Sequence, residues 1–432
     1  MIRYLTTTLP YVNADPHVGN ALEAVQADAL ARSWRLRGDK VFFNMGTDEH
    51  GQKIFQAAQK AGQEVKEYVD HYSDEFRKLI ESLALSPDAF VRTTAPAHYA
   101  AATEMWRRCD AAGDIYKKSY TGLYCVGCEA YKTSKELTEE GKCALHPSLT
   151  PEEITEENYF FRFSKYTQSL LSYLAAEESI VPDWRREEAI AFVKQGLEDF
   201  SISREKKRLS WGVPVPGDSD QVMYVWFDAL TSYLSTLGWP EDRDQLFTTF
   251  WNEGKVMQMA GKDQVRFQSL MWQAMLMSAG VKNTDQVFYH GFINSGGQRM
   301  SKSLGNVINP YELVRKYGTD ATRYLLLRHV HPVEDTDITW ERLDEWYTAN
   351  LVNGLGNLVA RVMKLAEMHL PGPSTHPEPS PFPEEYWRAI DTFGFNLVTD
   401  YIWKRIQLLD ERITSEEPFK LVKEDLEKGR AL

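Results

Sequence analysis

No apolar run in this 432-residue chain approaches the roughly 18 residues that a membrane span needs. The opening Met1-Ile2-Arg3-Tyr4-Leu5-Thr6-Thr7-Thr8 likewise lacks the apolar stretch of a secretory leader. Cysteine is scarce, with four residues in all, which excludes a disulfide-stapled scaffold and predicts a reduced, cytoplasmic protein. Positive charge is in deficit: 49 lysines and arginines face 62 aspartates and glutamates, a net charge of −13. Coating nucleic acid by bulk charge is therefore excluded, whereas a local basic face on an acidic body is not. No Gly-x-x-x-x-Gly-Lys-Ser/Thr string occurs, which removes the P-loop enzymes. What remains is a globular composition, 43% hydrophobic and 26% charged, in a length sufficient for about three domains.

Strand and helix patterns alternate at both ends of the first three hundred residues. Residues 4–9 are β-rich and end at Pro10; Leu22, Val25, Ala29 and Leu30 then mark one face of a helix over 20–35. Residues 41–45 read as a buried strand ending at Gly46. The pattern returns with a strand over 256–260, a break at Gly261, a helix over 263–279 and a strand over 287–293. Such alternation predicts an α/β fold, a Rossmann-type parallel sheet with ligands at the carboxyl ends of its strands. Residues 115–220 lose the alternation and hold three of the four cysteines, as an inserted domain would. From Trp340 onward the pattern is helical, apart from a loop with six prolines between Pro371 and Pro383. The expected organisation is therefore a first catalytic half over 1–114, an insertion over 115–220 and a second half over 221–295. A loop and linking segment over 296–345 follows, then an α-helical domain over 346–432 that reads as incomplete.

Three constellations carry chemistry. Cys125-Val126-Gly127-Cys128 is followed, after fourteen residues, by Cys143-Ala144-Leu145-His146. Two chelating pairs supply four soft or borderline ligands suited to one structural Zn²⁺, and Gly127 permits the tight knuckle. Loose thiols or a redox pair are the plain alternative; Cys109 lies outside the set and reads as a core thiol. At the first strand-to-helix break stands Pro16-His17-Val18-Gly19-Asn20, where a glycine and free helix N–H groups suit a phosphate, though many such turns contain glycine. Late in the sheet comes Gly297-Gln298-Arg299-Met300-Ser301-Lys302-Ser303, a glycine-flanked loop whose lysine could neutralise phosphate charge or simply face water.

The histidine-glycine turn and the Met-Ser-Lys-Ser loop together make up the paired signature of class I aminoacyl-tRNA synthetases. Other strings sharpen the likeness: Leu9-Pro10-Tyr11-Val12-Asn13, Gly46-Thr47-Asp48-Glu49-His50-Gly51 and Tyr224-Val225-Trp226-Phe227-Asp228-Ala229. So do Gly261-Lys262-Asp263, His290-Gly291 and Tyr317-Gly318-Thr319-Asp320-Ala321-Thr322-Arg323-Tyr324. From residue 3 to about 425 the chain resembles the methionyl branch of that family. The resemblance implies activation of methionine with ATP, Mg²⁺ accompanying ATP, and transfer of the aminoacyl group to the 3′ end of methionine tRNA. It implies His17 and Lys302 as catalytic, and His17, Gly19, Asn20, Gly261, Asp263, His290, Gly291, Met300 and Lys302 around ATP. Methionine's charged amino end calls for a carboxylate, and Asp48 at a strand end suits it; the alternative is a cap on a helix over 49–60. By resemblance Leu9, Tyr11, Trp226, Ala229 and Tyr233 line the thioether pocket, residues that would otherwise read as core.

Asn353, Asn357 and Arg361 share one helix face by their spacing, and by resemblance read the CAU anticodon; a solvated polar face is the bland reading. The family's anticodon-stacking aromatic and its dimerising extension would lie beyond residue 432, so a monomer is expected. Departures from the family fall in the site. Asn20 stands where histidine is common and cannot carry charge. Gln268 replaces a histidine near the substrate and Gln264 an aliphatic pocket residue; two amides there need hydrogen-bond partners. Arg299 keeps the charge of the usual first lysine. Competing readings are a sister synthetase, a non-catalytic relic that binds tRNA or nucleotide, and a general nucleotidyltransferase. The first lacks room for an editing insertion, the second must explain why Lys302, Asp48 and His17 persist, and the third has no use for the zinc pairs.

Overall fold

A computed structural model describes residues 1–128, 130–132, 136–300, 305–372 and 381–431. The chain divides into two compact units, Met1–Pro16 with Ala27–His290, and His17–Gln26 with Gly291–Leu432.

The first unit is built on a six-stranded sheet whose pairings are all parallel. In spatial order its strands are Ala89–Arg92, Lys40–Thr47, Ile2–Thr6, Lys255–Gly261, Gln286–His290 and Ile180–Val181. The central strands are rich in apolar residues and buried along most of their length; all five residues of Gln286–His290 are buried, the polar Gln286 and His290 included. Strand order reverses at Ile2–Thr6, which lies between the next strand in the chain and one some 250 residues later. That reversal opens a crevice beyond the carboxyl ends of Thr6, Thr47 and Gly261.

The first strand stops at Thr6, short of the expected Leu9, with Thr7 N still donating to the Asn44 carbonyl at 3.3 Å. The helix expected over 263–279 is a composite: a 3₁₀ turn Lys262–Gln264, a π-helical stretch Val265–Met271, and an α-helix Trp272–Ala279 closed by left-handed Gly280. The strand expected over 287–293 is two. Gly291 separates them, since a Cβ there would lie 2.2 Å from the Glu334 carbonyl oxygen. Within 115–220, Ile115–Cys125 and Glu152–Phe161 form a long antiparallel ladder, whereas Ile180–Val181 supplies the main sheet's edge.

In the second unit, Ile293–Ser295 pairs with Gln298–Arg299 and, on its other side, with Thr336–Asp337. The rest is mostly helical, with Thr319–His329, Tyr347–Gly356, Asn357–His369 and the 22-residue Phe395–Glu416 as its longest described pieces. Among the described residues no helix is long and apolar enough to cross a membrane.

Candidate active site

Asp48 sits one residue beyond the second strand, at the crevice, and is buried. The segment after the first strand keeps pairing with it: Asp48 N donates to the Pro10 carbonyl at 3.0 Å and Val12 N to the Asp48 carbonyl at 3.2 Å. Tyr11 and Asp48 thereby form an isolated parallel bridge. The alternative role as a helix cap is overturned, because the following helix is Gln52–Ala61, preceded by Gly51 without a side-chain cap. Both neighbours of Asp48 are anchored. Fully buried Glu49 accepts two bonds from Arg92, at 2.6 and 2.9 Å, and others from Thr47 and Thr94. Burial works against the Arg92 charge, but Glu49 and Asp70 more than offset it and raise its pKa. A carboxylate so framed is held in one place before any ligand arrives.

Of the residues expected around the thioether, Tyr11, Trp226 and Tyr233 belong to one apolar cluster. Leu9 packs over Gly46, where a Cβ would come within 3.0 Å of its Cδ2. Tyr11 meets the edge of Trp226 at 6.1 Å, and Trp226 stacks on Phe267 at 4.0 Å and 14°. Ala229 and Tyr233 follow one and two helical turns after Trp226, and both are buried. Gln268 joins these residues by donating from Nε2 to the Tyr233 hydroxyl at 2.6 Å. The amide expected to need a partner therefore finds one for its nitrogen, but Oε1 of Gln268, Oε1 of Gln264 and Nε1 of Trp226 have none among the described residues. Of the first unit's nucleotide candidates, Gly261 ends its strand in register with His290, which is buried, while Asp263 is exposed on the 3₁₀ turn.

A group that motif reading passed over is centred on the helix Val225–Leu230 that carries Trp226 and Ala229. Asp228 is fully buried between two imidazoles, accepting from His50 Nδ1 at 2.9 Å and His98 Nε2 at 2.8 Å. The outer nitrogens meet the Tyr99 hydroxyl at 3.1 Å and Ser235 Oγ at 3.2 Å. Burial alone would lift the Asp228 carboxyl, yet the two histidines hold it below the usual carboxylate range. His50 and Asp228 stand inside strings already singled out; His98, on the helix Pro96–Ala111, had no local signal at all.

The four predicted metal ligands converge, with all ligand atoms within 4.8 Å of one another. Cys128 Sγ lies 3.4 Å from Cys143 Sγ and 3.2 Å from His146 Nδ1. Tetrahedral Zn²⁺ with Zn–S bonds of about 2.3 Å sets sulfurs roughly 3.8 Å apart, so the set fits the ion. A Cβ on Gly127 would strike the His146 ring at 2.7 Å, so the knuckle requires glycine. Burial pushes the Cys128 thiol up to about 12. Burial opposes ionisation of Cys143 as well, but bonds from Cys128 and backbone N–H groups lower it. Cys109 is plain core, 3.8 Å from the Met275 carbonyl, its thiol pushed by burial up to about 12.

In the second unit His17 opens the helix Val18–Leu36 and caps it. Its Nδ1 accepts from Gly19 N at 3.1 Å and Asn20 N at 3.3 Å, and Asn20 Oδ1 accepts from His17 N at 3.1 Å. This reciprocal pair is a capping box. With Nδ1 accepting, the neutral ring carries its proton on Nε2. Asn20 thus has a structural role at the position where it departs from the family. Gly19 is required, because a Cβ there would lie 2.9 Å from the His17 ring. Gly296 and Gly297, both at positive φ, turn the hairpin that leads to Met300. Lys302, with Ser301 and Ser303, lies outside the described residues. Gly291 packs against backbone at Glu334 and Asp335. Asn353 falls in the π-helical Tyr347–Gly356, Asn357 begins the next helix, and Arg361 pairs with Asp410; all three are exposed.

A parallel sheet reversing at its first strand, a framed carboxylate in the crevice and a Cys₃His knuckle in the connecting segment are the parts of a class I synthetase. The sequence model described as tRNA synthetases class I (M) matches residues 3–148 and 133–363, and the chain belongs to that family. It is 44% identical over 386 residues to the methionine–tRNA ligase of Thermosynechococcus vestitus, covering 88% of this chain and 72% of that one. Against the methionine–tRNA ligase of Mycobacterium leprae it is 39% identical over 447 residues, covering 99% and 82%. Among solved structures, Mycobacterium tuberculosis methionyl-tRNA synthetase in complex with methionyl-adenylate superposes with a TM-score of 0.91 at 38% identity, covering 99% of this chain and 86% of that one.

Proposed function

We propose that the chain is a methionine–tRNA ligase. It activates methionine with Mg²⁺·ATP to methionyl-adenylate and transfers the aminoacyl group to the 3′ end of methionine tRNA. The observation that carries the reading is the buried, framed Asp48 beside an aromatic wall, in a member of the class I (M) family. The Asp48 carboxylate pairs with the α-ammonium, and Leu9, Tyr11, Trp226, Ala229 and Tyr233 take the thioether chain. The free carboxylate of methionine attacks the α-phosphorus; a new P–O bond forms as the bond to pyrophosphate breaks. Little covalent chemistry falls to the protein, so its work is positioning and neutralising charge. His17 offers Nε2–H to phosphate oxygen, and Lys302 stabilises the charge that grows on the leaving pyrophosphate. Gly19, Asn20, Gly261, Asp263, His290, Gly291 and Met300 complete the nucleotide contacts.

In the second step a ribose hydroxyl at the tRNA 3′ end attacks the acyl carbon and AMP leaves. One Zn²⁺ held by Cys125, Cys128, Cys143 and His146 fixes the knuckle that meets the acceptor end. Residues 1–114 and 221–295 form the catalytic halves, 115–220 the insertion, from which Ile180–Val181 returns to the edge of the catalytic sheet, and 296–345 the Lys302 loop and link. Residues 346–432 belong to the anticodon-binding domain, where Asn353, Asn357 and Arg361 contact the anticodon, Arg361 by releasing Asp410. The protein works in the cytoplasm as a monomer.

ATP–pyrophosphate exchange without tRNA, run across the twenty amino acids, tests the reading. Methionine-dependent exchange is expected, and Lys302→Ala lowers its turnover by about 10²–10³ while methionine binding holds. No exchange with any amino acid, from folded and zinc-loaded protein, overturns it.

A further inference from the structure

The two ends of the amino acid fall to segments far apart in the chain: Asp48 beyond the second strand, and the helix Val225–Leu230 that carries Trp226 and Ala229. A buried frame of polar side chains joins them. His50, just after Asp48, reaches Asp228 on that helix through Nδ1 at 2.9 Å, while its backbone N–H donates to Asp48 Oδ1 at 3.4 Å. The other oxygen of Asp228 accepts from His98 Nε2 at 2.8 Å, so the helix cannot roll about its axis without breaking a bond. Each ring is also met at its far nitrogen, His50 by the Tyr99 hydroxyl at 3.1 Å and His98 by Ser235 Oγ at 3.2 Å. His50, His98 and Asp228 are all buried, a setting in which such bonds are strong and costly to break. Apolar packing alone would hold the helix down yet let it slide; directional bonds to both carboxylate oxygens fix where Trp226 and Ala229 stand.

We propose that His50 and Asp228 are positioning residues that set the length of the amino-acid pocket: their bond holds the Trp226 helix at one distance from Asp48 and so selects a side chain as long as that of methionine. The inference rests on the methionine-activating reading given above, in which Asp48 takes the ammonium while Trp226 and Ala229 take the thioether. His50 and Asp228 act through those residues. One methylene more or less is worth about 10- to 200-fold in an apolar pocket whose wall holds still. A wall free to retreat by one carbon–carbon bond gives that discrimination up.

Titration calorimetry on the full chain with methionine and with ethionine, which adds one methylene at the far end, tests this. The unaltered chain is expected to prefer methionine by at least about tenfold. Two amide substitutions separate positioning from folding. His50→Asn puts an N–H donor near the place of Nδ1 and should keep the preference within about twofold. His50→Gln carries its N–H farther out, near the place of Nε2, and should cut the preference at least about fivefold. Equal weakening of both ligands in His50→Gln, with their ratio unchanged, overturns the proposal. So does an unaltered chain that binds the two alike, or binds neither. Should His50→Gln fail to fold, Asp228→Asn carries the same comparison, because its amide N–H turns one acceptor into a donor; an unchanged ratio there is equally fatal. Pyrophosphate exchange separates the two readings. Methionine-dependent exchange by a chain whose preference ignores these variants sinks the positioning role alone. Length selection in binding, lost in His50→Gln but with no exchange by the unaltered chain, sinks the ligase reading alone.

Discussion

Arg92–Glu49 and Arg361–Asp410 are the same chemistry in two settings. The first pair has side chains 21% and 0% exposed, beside Asp48 at the sheet's crevice; the second has 48% and 49%, on the helices of the second unit. In the first unit two fully buried carboxylates are framed: Glu49 takes Arg92 and two threonines, and Asp228 takes two histidines. Along Asn357–His369 only Leu358 is buried, and along Phe395–Glu416 only Phe395 and Val398. A site that must hold a carboxylate in one position needs the low-dielectric, fully bonded setting. A surface that must exchange partners with a nucleic acid is better served by solvated charges that release easily.

The sharpest way to break that contrast is Glu49→Ala. It leaves Arg92 only the part-exposed Asp70 and deprives Thr47 and Thr94 of their acceptor, and should cost about 2–4 kcal/mol, read as a fall in the urea midpoint; a loss below 1 kcal/mol would put the crevice pair on a level with a surface one. Next comes Asp228→Asn, expected to cost about 1–3 kcal/mol near neutral pH because both imidazoles lose a charged acceptor. The pH dependence has a definite sign. The folded-state pKa of Asp228 is depressed, so its contribution is present above the ordinary carboxylate range and drains away as pH falls through the folded value. Stability of the unaltered chain should therefore decline more steeply with acid than that of the variant, and parallel pH–stability curves would refute the assignment.

Zinc removal sharpens the comparison from a third side. The knuckle hangs from the ladder of Ile115–Cys125 and Glu152–Phe161, not from the crevice. Stripping the ion with a chelator should cut tRNA aminoacylation about tenfold or more while methionine-dependent exchange changes far less; equal losses in both would tie the knuckle to the crevice. The smallest effect is expected from Arg361→Ala. Stability should move by no more than about 1 kcal/mol and exchange not at all, with any deficit confined to the KM for tRNA. A large fall in melting temperature would show that the Asp410 pair is structural.

Much of the catalytic core was legible before any coordinates. Residues 256–260 and 287–289 are largely apolar, and a run of that kind between helices has few places to go but a parallel sheet. The composite nature of the 262–279 segment was not legible, since 3₁₀, π and α turns share one apolar periodicity to the eye. The break at Gly291 depended on backbone 43 residues away coming within 2.2 Å of its missing Cβ. Asn20 looked like a weakened nucleotide contact and proved also to close a capping box, a role open to any short side chain with an acceptor at the third helical position.

By itself the sequence determined what local spacing can determine. Two chelating pairs announced the Cys₃His cluster, a glycine-bearing strand-to-helix turn marked His17, and a strand end marked Asp48, each because the signal is carried by residues close by along the chain. Tertiary structure alone decided that Asp228 would meet His50 and His98, 178 and 130 residues away, and that Gln268 would spend its amide nitrogen on Tyr233. Those contacts exist because the sheet's strand order folds distant segments onto one crevice, and no periodicity in a one-dimensional string encodes which side chains the crossing brings within 3 Å.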